Sequence, residues 1–278
     1  MGAAFLITLR EGLEAALIIA IVLAYLRTLG KTNKFPFVFL GAAVAILISL
    51  LIAGLVFVSI GNLEGRAEQL TEGFISLLAA AVLTWMIFWM RGQSKTLGQD
   101  LRSKVDVALT TGSMIALSSV VFIGVLREGI ETGLFLLAVF LNNTAVSSIS
   151  GAIVGLATAS IIGYLVYSGS KLINLKLFFQ VTGGFIIIVA AGMLGNAVHE
   201  FQEAGVLNVY LRQAWDLTSV PLIGSGQIAG FLKSIIGWRP SPSVGQAFVW
   251  STYLIFASWL FYFTNYSPKF DKTAGKST

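Results

Sequence analysis

Cysteine is absent from this 278-residue chain, histidine occurs once, and proline only five times. Without cysteine there are no disulfides and no thiolate metal sites, so soft ligands for Cu(I) or zinc clusters are missing. Charge is scarce too, at 11% of residues against about 25% in soluble domains, whereas 56% are hydrophobic. That composition excludes a soluble enzyme and describes an integral membrane protein. A length of 278 could hold two soluble domains, but in a membrane it reads as one bundle. The net charge of +5 does not indicate nucleic acid, because the basic residues form no stripe or aromatic-interleaved patch. No nucleophile triad, Walker loop or dinucleotide fingerprint occurs, and Gly61-Asn62-Leu63-Glu64-Gly65 lacks the strand–helix setting of such motifs. ATP hydrolysis by the chain itself is therefore not expected. The N-terminal stretch has no basic n-region, and Arg10, Glu11 and Glu14 interrupt its apolar run. It is expected to be a retained span rather than a cleaved signal peptide.

What is present is a series of apolar stretches near or above ~20 residues, each a candidate membrane-spanning helix. They cover about 4–26, 36–60, 71–90, 113–141, 146–168, 177–200 and 246–265, with Pro36, Pro221, Pro240, Pro242 and Pro268 outside them or at their edges. Seven spans put the termini on opposite sides. Twelve of the 18 basic residues fall in one set of loops and the tail: Arg27, Lys31, Lys34, Arg91, Lys95, Arg102, Lys104, Lys171, Lys176, Lys269, Lys272 and Lys276. The opposite loops hold Arg66, Arg212, Lys233 and Arg239. The positive-inside rule then places the N-terminus outside and the C-terminus in the cytoplasm. The outer loops carry Glu64, Glu68, Glu72, Glu200, Glu203 and Asp216, an acidic face that concentrates cations at an entrance. For Asp216 ordinary loop solubility is the preferred reading.

Two strings break the apolar runs: Arg10-Glu11-Gly12-Leu13-Glu14 and Arg127-Glu128-Gly129-Ile130-Glu131. Ionisable groups near a bilayer centre cost about 2.5–3.5 kcal/mol each, so six facing lipid would cost about 15–20 kcal/mol. Typical stabilities are ~5–15 kcal/mol, so these groups must be paired, hydrated or holding an ion. Carboxylates three residues apart, with an arginine four before the second, share one helix face. Two such helices crossing could offer four carboxylates to one cation. The arginines keep the site anionic while limiting its charge, since each string sums to −1. Gly12 and Gly129 remove bulk there, permitting either close approach of the two helices or a local unwinding. A buried Arg–Glu clamp that only holds the bundle together is the competing reading, and duplication weighs against it.

The strings are offset by 117 residues, and Thr71-Glu72-Gly73-Phe74 matches Thr182-Gly183-Gly184-Phe185 more weakly, as Ala79-Ala80 matches Ala190-Ala191. Three spans followed by three more reverses the second set, giving an inverted repeat with a site near the midplane. The expected architecture is an all-α integral membrane protein: one permease domain over 1–278, with repeat one about 1–91, repeat two about 105–203, an outer loop about 204–245 and an unpartnered last span about 246–265. Gly151, Gly155, Ala159 and Gly163 form a small-residue ridge suited to close helix packing. Along the outer loop, Val206, Leu207, Val209, Leu211 and Trp215, then Phe231 to Ile236, read as short amphipathic segments on the bundle or membrane surface.

A third cluster, His199-Glu200-Phe201-Gln202-Glu203, closes the sixth span, with His199 and Glu203 one turn apart as shared metal ligation requires. It is close to the zinc-protease string HExxH but ends in glutamate, so a zinc protease is not expected. Glu64, Glu68 and Glu72 recur every four residues as an acidic ladder into the third span. For Glu64 a solvated helix start explains the charge equally well.

A duplicated R-E-G-[LI]-E in a seven-span chain of this length resembles the oxidase-dependent iron transporter family, which covers fungal high-affinity iron permeases and bacterial EfeU-type permeases. Leu9 to Ile18, Leu83-Thr84-Trp85-Met86, Phe88-Trp89-Met90-Arg91 and His199-Glu200 with Glu203-Ala204-Gly205 look like the bacterial branch. The chain lacks the extended segments of fungal members, which argues against a multicopper-oxidase partner. The resemblance implies that Glu11, Glu14, Glu128 and Glu131 bind and pass iron, as Fe(III) or Fe(II), with oxidation of Fe(II) outside. It further implies collection of iron at Glu68, Glu72, His199, Glu200 and Glu203, and carboxylates oriented and tuned by Arg10 and Arg127. No permanently bound cofactor is expected, iron being the substrate. A periplasmic iron-binding protein and a haem peroxidase are implied partners in a bacterial inner membrane; a homo-oligomer stays open. The residues alone say only that a hard multivalent cation suits carboxylates, so manganese or magnesium transport is one rival. A membrane metalloenzyme using His199, Glu200 and Glu203 is another.

Overall fold

The structure, a computed structural model, describes residues 1–60, 63–93, 97–110, 112–142, 145–169, 175–224 and 226–263. Lys95, Lys171 and the tail lysines Lys269, Lys272 and Lys276 lie outside the described residues. Nine α-helices are described: α1 Gly2–Thr28, α2 Phe35–Ile60, α3 Arg66–Gln93, α4 Leu97–Thr110, α5 Met114–Asn142, α6 Ala145–Tyr167, α7 Leu175–Glu203, α8 Gln227–Ile236 and α9 Val244–Phe263. Among the described residues there is no strand, and Gln213 and Ser243 form an isolated bridge. Pro36 sits in the first turn of α2, where no intrahelical N–H bond is lost.

Five of these helices, α2, α3, α6, α7 and α9, are long and apolar enough to cross a membrane. Helices α1 and α5 are as long, at 27 and 29 residues, but each carries one charged string along its length. Large apolar side chains stand exposed along α2 (Leu50, Leu51, Leu55), α6 (Ile153, Ile161) and α9 (Ile255, Phe256, Trp259). A wall of that kind suits lipid and would be an association hazard in water.

Three apolar clusters organise the interior. One joins Ala4 and Ile7 of α1 to Leu83 and Met86 of α3, Phe135 and Ala138 of α5, Ile186 and Ala190 of α7 and Phe261 of α9. Another joins Val22 and Leu26 of α1 to Val38 and Ala42 of α2, Val105 of α4 and Leu117 and Val121 of α5. The start of α1 thus meets the end of α5, and the end of α1 meets the start of α5. The two charged helices run antiparallel, with their strings between the two clusters. The third cluster seats Leu9, Leu13 and Leu17 of α1 against Ala159 of α6.

The most extensive helix pairings are α1 with α6, α2 with α5 and α3 with α7, followed by α7 with α9 and α1 with α5. Small residues make them close. A Cβ on Gly155 would meet Thr8 Oγ1 and come 2.7 Å from the Phe5 carbonyl, and one on Gly163 would lie 2.6 Å from Ala16 Cβ. The ridge on α6 is therefore a packing face against α1. Gly12 faces Leu156 and Ala159 of α6, and Gly129 faces Ser49 of α2. Each string glycine serves a neighbouring helix rather than approach of α1 to α5, and both helices continue unbroken through it. Local unwinding is thereby corrected.

Two further expectations change. The charged stretch around Arg102 and Lys104 is a helix, α4, whose Leu101, Val105 and Ala108 form a buried stripe at helical spacing. The stretch holding Val206, Leu207, Val209, Leu211 and Trp215 is not helical, and Val206, Val209 and Leu211 are more than half exposed. Asp216 organises a turn there, its Oδ1 accepting from Thr218 N at 3.0 Å and Thr218 Oγ1 at 2.6 Å. Those bonds hold its carboxyl below the usual range, and solubility with local capping accounts for it. Only the second segment, α8, is helical.

Gly155→Leu is expected to lower the melting temperature of the purified protein, since overpacking a tight interface costs about 1–3 kcal/mol. Gly54→Leu on α2, where a Cβ meets nothing within 4 Å, should leave thermal unfolding unchanged in the same detergent.

Candidate metal-permeation site

The layer between the two main clusters contains the duplicated strings. On α1, Arg10 Nε lies 3.4 Å from Glu14 Oε1, both side chains being buried. On α5, Arg127 Nε donates to Glu131 Oε1 at 2.8 Å and stands 3.9 Å from Glu128 Oε1. In both strings the i,i+4 spacing makes the arginine pair with the second glutamate. The first glutamates are left to face each other across α1 and α5. Single oxygens of Glu11, Glu128 and Glu131 lie within 4.8 Å of one another, a spacing that could hold one metal ion. Glu14 stands beside this triplet, within electrostatic range of Glu131 and Arg127 but drawn onto Arg10. Three carboxylates converge rather than four.

Glu11 is fully buried, and neither of its oxygens accepts a hydrogen bond among the described residues. One oxygen each of Glu128 and Glu131 is likewise without a donor. Buried acceptors in this number are costly unless a proton or cation occupies the space between them. A carboxylate-oxygen set of this kind suits a hard or borderline divalent cation. The two strings are not equivalent in access. The Arg10 side chain is 3% exposed and that of Arg127 is 37% exposed. Arg127 places its guanidinium carbon 4.6 Å from the centroid of the Trp89 ring on α3, a cation–π contact.

A second acidic cluster lies where α3 begins and α7 ends. Helix α3 starts at Arg66, so Glu64 is outside it and exposed, and the ladder shortens to Glu68 and Glu72. Glu68 is exposed and Glu72 half-buried. Across from them on α7, His199 Nε2 and Glu203 Oε1 are 2.9 Å apart, bonded to each other. Gln69 Nε2 reaches Glu203 Oε2 at 3.5 Å. Glu200 is buried, within electrostatic range of Glu72 and Glu203 and hydrogen-bonded to Asn196. All five residues expected to collect cations, Glu68, Glu72, His199, Glu200 and Glu203, therefore occupy one end of the α3–α7 pair.

Sequence reasoning missed Asn196, Ser76, Arg239 and the partner role of Trp89. Asn196 Oδ1 accepts from Arg239 Nη2 at 2.7 Å, and its Nδ2 reaches Ser76 Oγ at 3.5 Å. One signal was available: Glu68, Glu72 and Ser76 recur every four residues, as do Asn196 and Glu200, so the polar faces of α3 and α7 continue inward from the acidic residues. Arg239 carried no such signal, because its side chain arrives from the loop before α9.

The comparisons with known proteins agree over nearly the whole length. The family model for the iron permease FTR1 family matches residues 1–268. The ferrous iron permease EfeU of Escherichia coli O6:K15:H31 (strain 536 / UPEC) is 37% identical over 253 residues, covering 90% of this chain and 91% of that protein. That of Shigella sonnei (strain Ss046) shows the same identity and coverage. The Yersinia pestis protein of the same name is 37% identical over 260 residues, covering 93% of this chain and 92% of its own. No solved structure matches. A membrane metalloenzyme is set aside by these permease relatives. With apolar helices long enough for several membrane crossings and iron as its transported substrate, the chain belongs to the iron permease FTR1 family.

Proposed function

We propose that ferrous iron crosses the bacterial cytoplasmic membrane between α1 and α5, held in passing by Glu11, Glu128 and Glu131, with Glu14 as the relief ligand beside them. The observation that carries this reading is the fully buried Glu11, donorless among the described residues and facing two carboxylates from an antiparallel helix. Four glutamates and two arginines sum to −2, which one divalent ion neutralises. A trivalent ion would leave the layer at +1. The relatives are named ferrous iron permeases, in keeping with that balance. Iron collects first at Glu68, Glu72, His199, Glu200 and Glu203. His199 and Glu203 release each other to ligate it. Arg10 and Arg127 hold the second glutamates and limit the charge of the layer.

The reading places seven spans in the membrane, α1 and α5 included, as an inverted three-plus-three repeat with α9 added. The helix pairings support it. A two-fold axis relating α1–α3 to α5–α7 turns the α1–α6 contact into α5–α2, and maps α3–α7 and α1–α5 onto themselves. Under the positive-inside rule the N-terminus and the acidic cluster face outward and the C-terminus faces the cytoplasm. A periplasmic iron-binding protein and a haem peroxidase are the partners that would deliver and prepare the ion.

Glu11→Gln and Glu128→Gln are each expected to cut uptake of labelled Fe(II) about tenfold or more while the protein stays in the membrane, as loss of a ligand exceeds the 10–100-fold effect of outer-shell changes. Glu14→Gln should cost less. Competition by manganese or magnesium equal to that by iron would overturn the ferrous assignment.

Because the chain has no cysteine, single substitutions report topology directly. Glu64→Cys and Asp216→Cys should react with a membrane-impermeant maleimide in intact cells with a permeabilised outer membrane, and Lys31→Cys only after the inner membrane is opened. Labelling of Lys31→Cys from outside would reverse the orientation.

A further inference from the structure

The two halves of the repeat carry different chemistry at corresponding positions. The 111-residue offset that pairs Thr71 with Thr182 and Ala79 with Ala190 also pairs Trp85 with Asn196 and Trp89 with Glu200. The helix contacts follow the same correspondence, since α3 touches α5 as α7 touches α1. Where α7 offers an amide and a carboxylate, α3 therefore offers two indoles. At 1.5 Å per residue Trp89 lies about 25 Å along α3 from Glu72, at the end away from the acidic cluster.

Trp89 meets the charged layer through Arg127, whose guanidinium carbon is 4.6 Å from the ring centroid. Trp85, more than half exposed, stacks on Trp89 with centroids 5.7 Å apart and backs it from the periphery. Arg127 Nε donates to Glu131 Oε1 at 2.8 Å and stands 3.9 Å from Glu128 Oε1. Arg127 is thus a tethered cation beside two of the three carboxylates of the triplet. Its side chain is 37% exposed, and water at that surface weakens an ion pair. The indole face covers the guanidinium and opposes that loss. Arg10, at 3% exposure, is shielded by burial itself. Glu131 consequently commits Oε1 to Arg127, while its buried Oε2 has no donor among the described residues.

We propose that Trp89 is a positioning residue for permeation: by holding Arg127 on Glu131 it keeps Glu131 a one-oxygen ligand, limits how tightly the triplet grips the ion and so sets the rate of release. The inference rests on the reading of Glu11, Glu128 and Glu131 as the ion's ligands. An ion in the triplet sits beside the positive charge of Arg127, and their repulsion favours departure. Without the ring the guanidinium turns to water and Glu131 gains its second oxygen. The ion is then bound more tightly and released more slowly. Affinity and turnover moving in opposite directions is what loss of a ground-state destabilisation produces. A ring that only fills space would change the yield of folded protein and leave affinity alone.

The test compares wild type, Trp89→Leu and Trp89→Phe, full-length, by anaerobic Fe(II) binding in detergent and by uptake of labelled Fe(II) into proteoliposomes. Trp89→Leu is expected to tighten binding about three- to tenfold and to lower KM and maximal rate together. Trp89→Phe keeps a ring face and should stay within about twofold of wild type. In an Arg127→Gln background Trp89→Leu should change affinity no further, because the ring acts through that guanidinium. Fluorinated tryptophan keeps the shape of the ring while draining negative charge from its face, so it tests the contact without a packing defect. It should tighten binding in wild type and not in Trp89→Phe. Glu11→Gln separates the two readings. Loss of Fe(II) binding in that variant supports the triplet, and unchanged affinity in Trp89→Leu then overturns the role of Trp89 alone. Binding that survives Glu11→Gln overturns the triplet and this inference with it. Weaker binding by Trp89→Leu, an equal change in Trp89→Phe, or the full change persisting beside Arg127→Gln would also overturn the proposal.

Discussion

The packing of this protein turns on six ionisable side chains that α1 and α5 carry within otherwise apolar helices, because buried charge is costly unless it is paired. The answer is a charged layer between two apolar clusters, to which both helices contribute in opposite directions. Within each string the arginine neutralises the second glutamate through one helical turn, a local interaction that needs no tertiary partner. The first glutamates cannot be reached that way, and Glu11 and Glu128 converge with Glu131 across the helix pair. The triplet thus joins Glu11 and Glu128 to Glu131, which keeps its own bond to Arg127.

Chemical identity of the strings does not make their surroundings identical. The Arg10 side chain is buried, and Arg127 is open enough to lie over Trp89. Gly129 sits against Ser49, so α2 covers α5 on the other flank. The Arg127–Glu131 pair is the shorter of the two, a 2.8 Å hydrogen bond against 3.4 Å for Arg10–Glu14, and Trp89 adds a cation–π contact worth about 0.5–2 kcal/mol.

Much of this was legible in the sequence where a single helix decides the outcome. The long apolar runs, the proline positions and the one-face arrangement of each string follow from helical geometry and lipid solubility. The structure gives the long helices close to the expected bounds. What was not legible depends on which surfaces meet. Gly12 and Gly129 announce close approach, but only the packed bundle shows that α6 and α2 are the helices that approach. Helix α4 was obscured because Asp100, Arg102, Lys104 and Asp106 dominate its composition, although Leu101, Val105 and Ala108 carry the apolar stripe. The four-carboxylate expectation treated the glutamates as equivalent. Glu14 and Glu131 both pair with an i,i+4 arginine, and of the two only Glu131 also stands in the triplet.

The same division between local and long-range pairing extends to the acidic end of α3 and α7. His199 and Glu203 satisfy each other within one turn. Glu72 and Glu200, on facing helices, have no such local basic partner, and the nearest compensation is Arg239, brought from the loop and held by Asn196 rather than by a carboxylate. An amide between a guanidinium and a carboxylate can bond to both and holds them out of direct contact. Glu200 and Arg239 thereby attract each other across Asn196 without a direct ion pair. Asn196, neutral and inconspicuous in an apolar run, is the residue that prevents it.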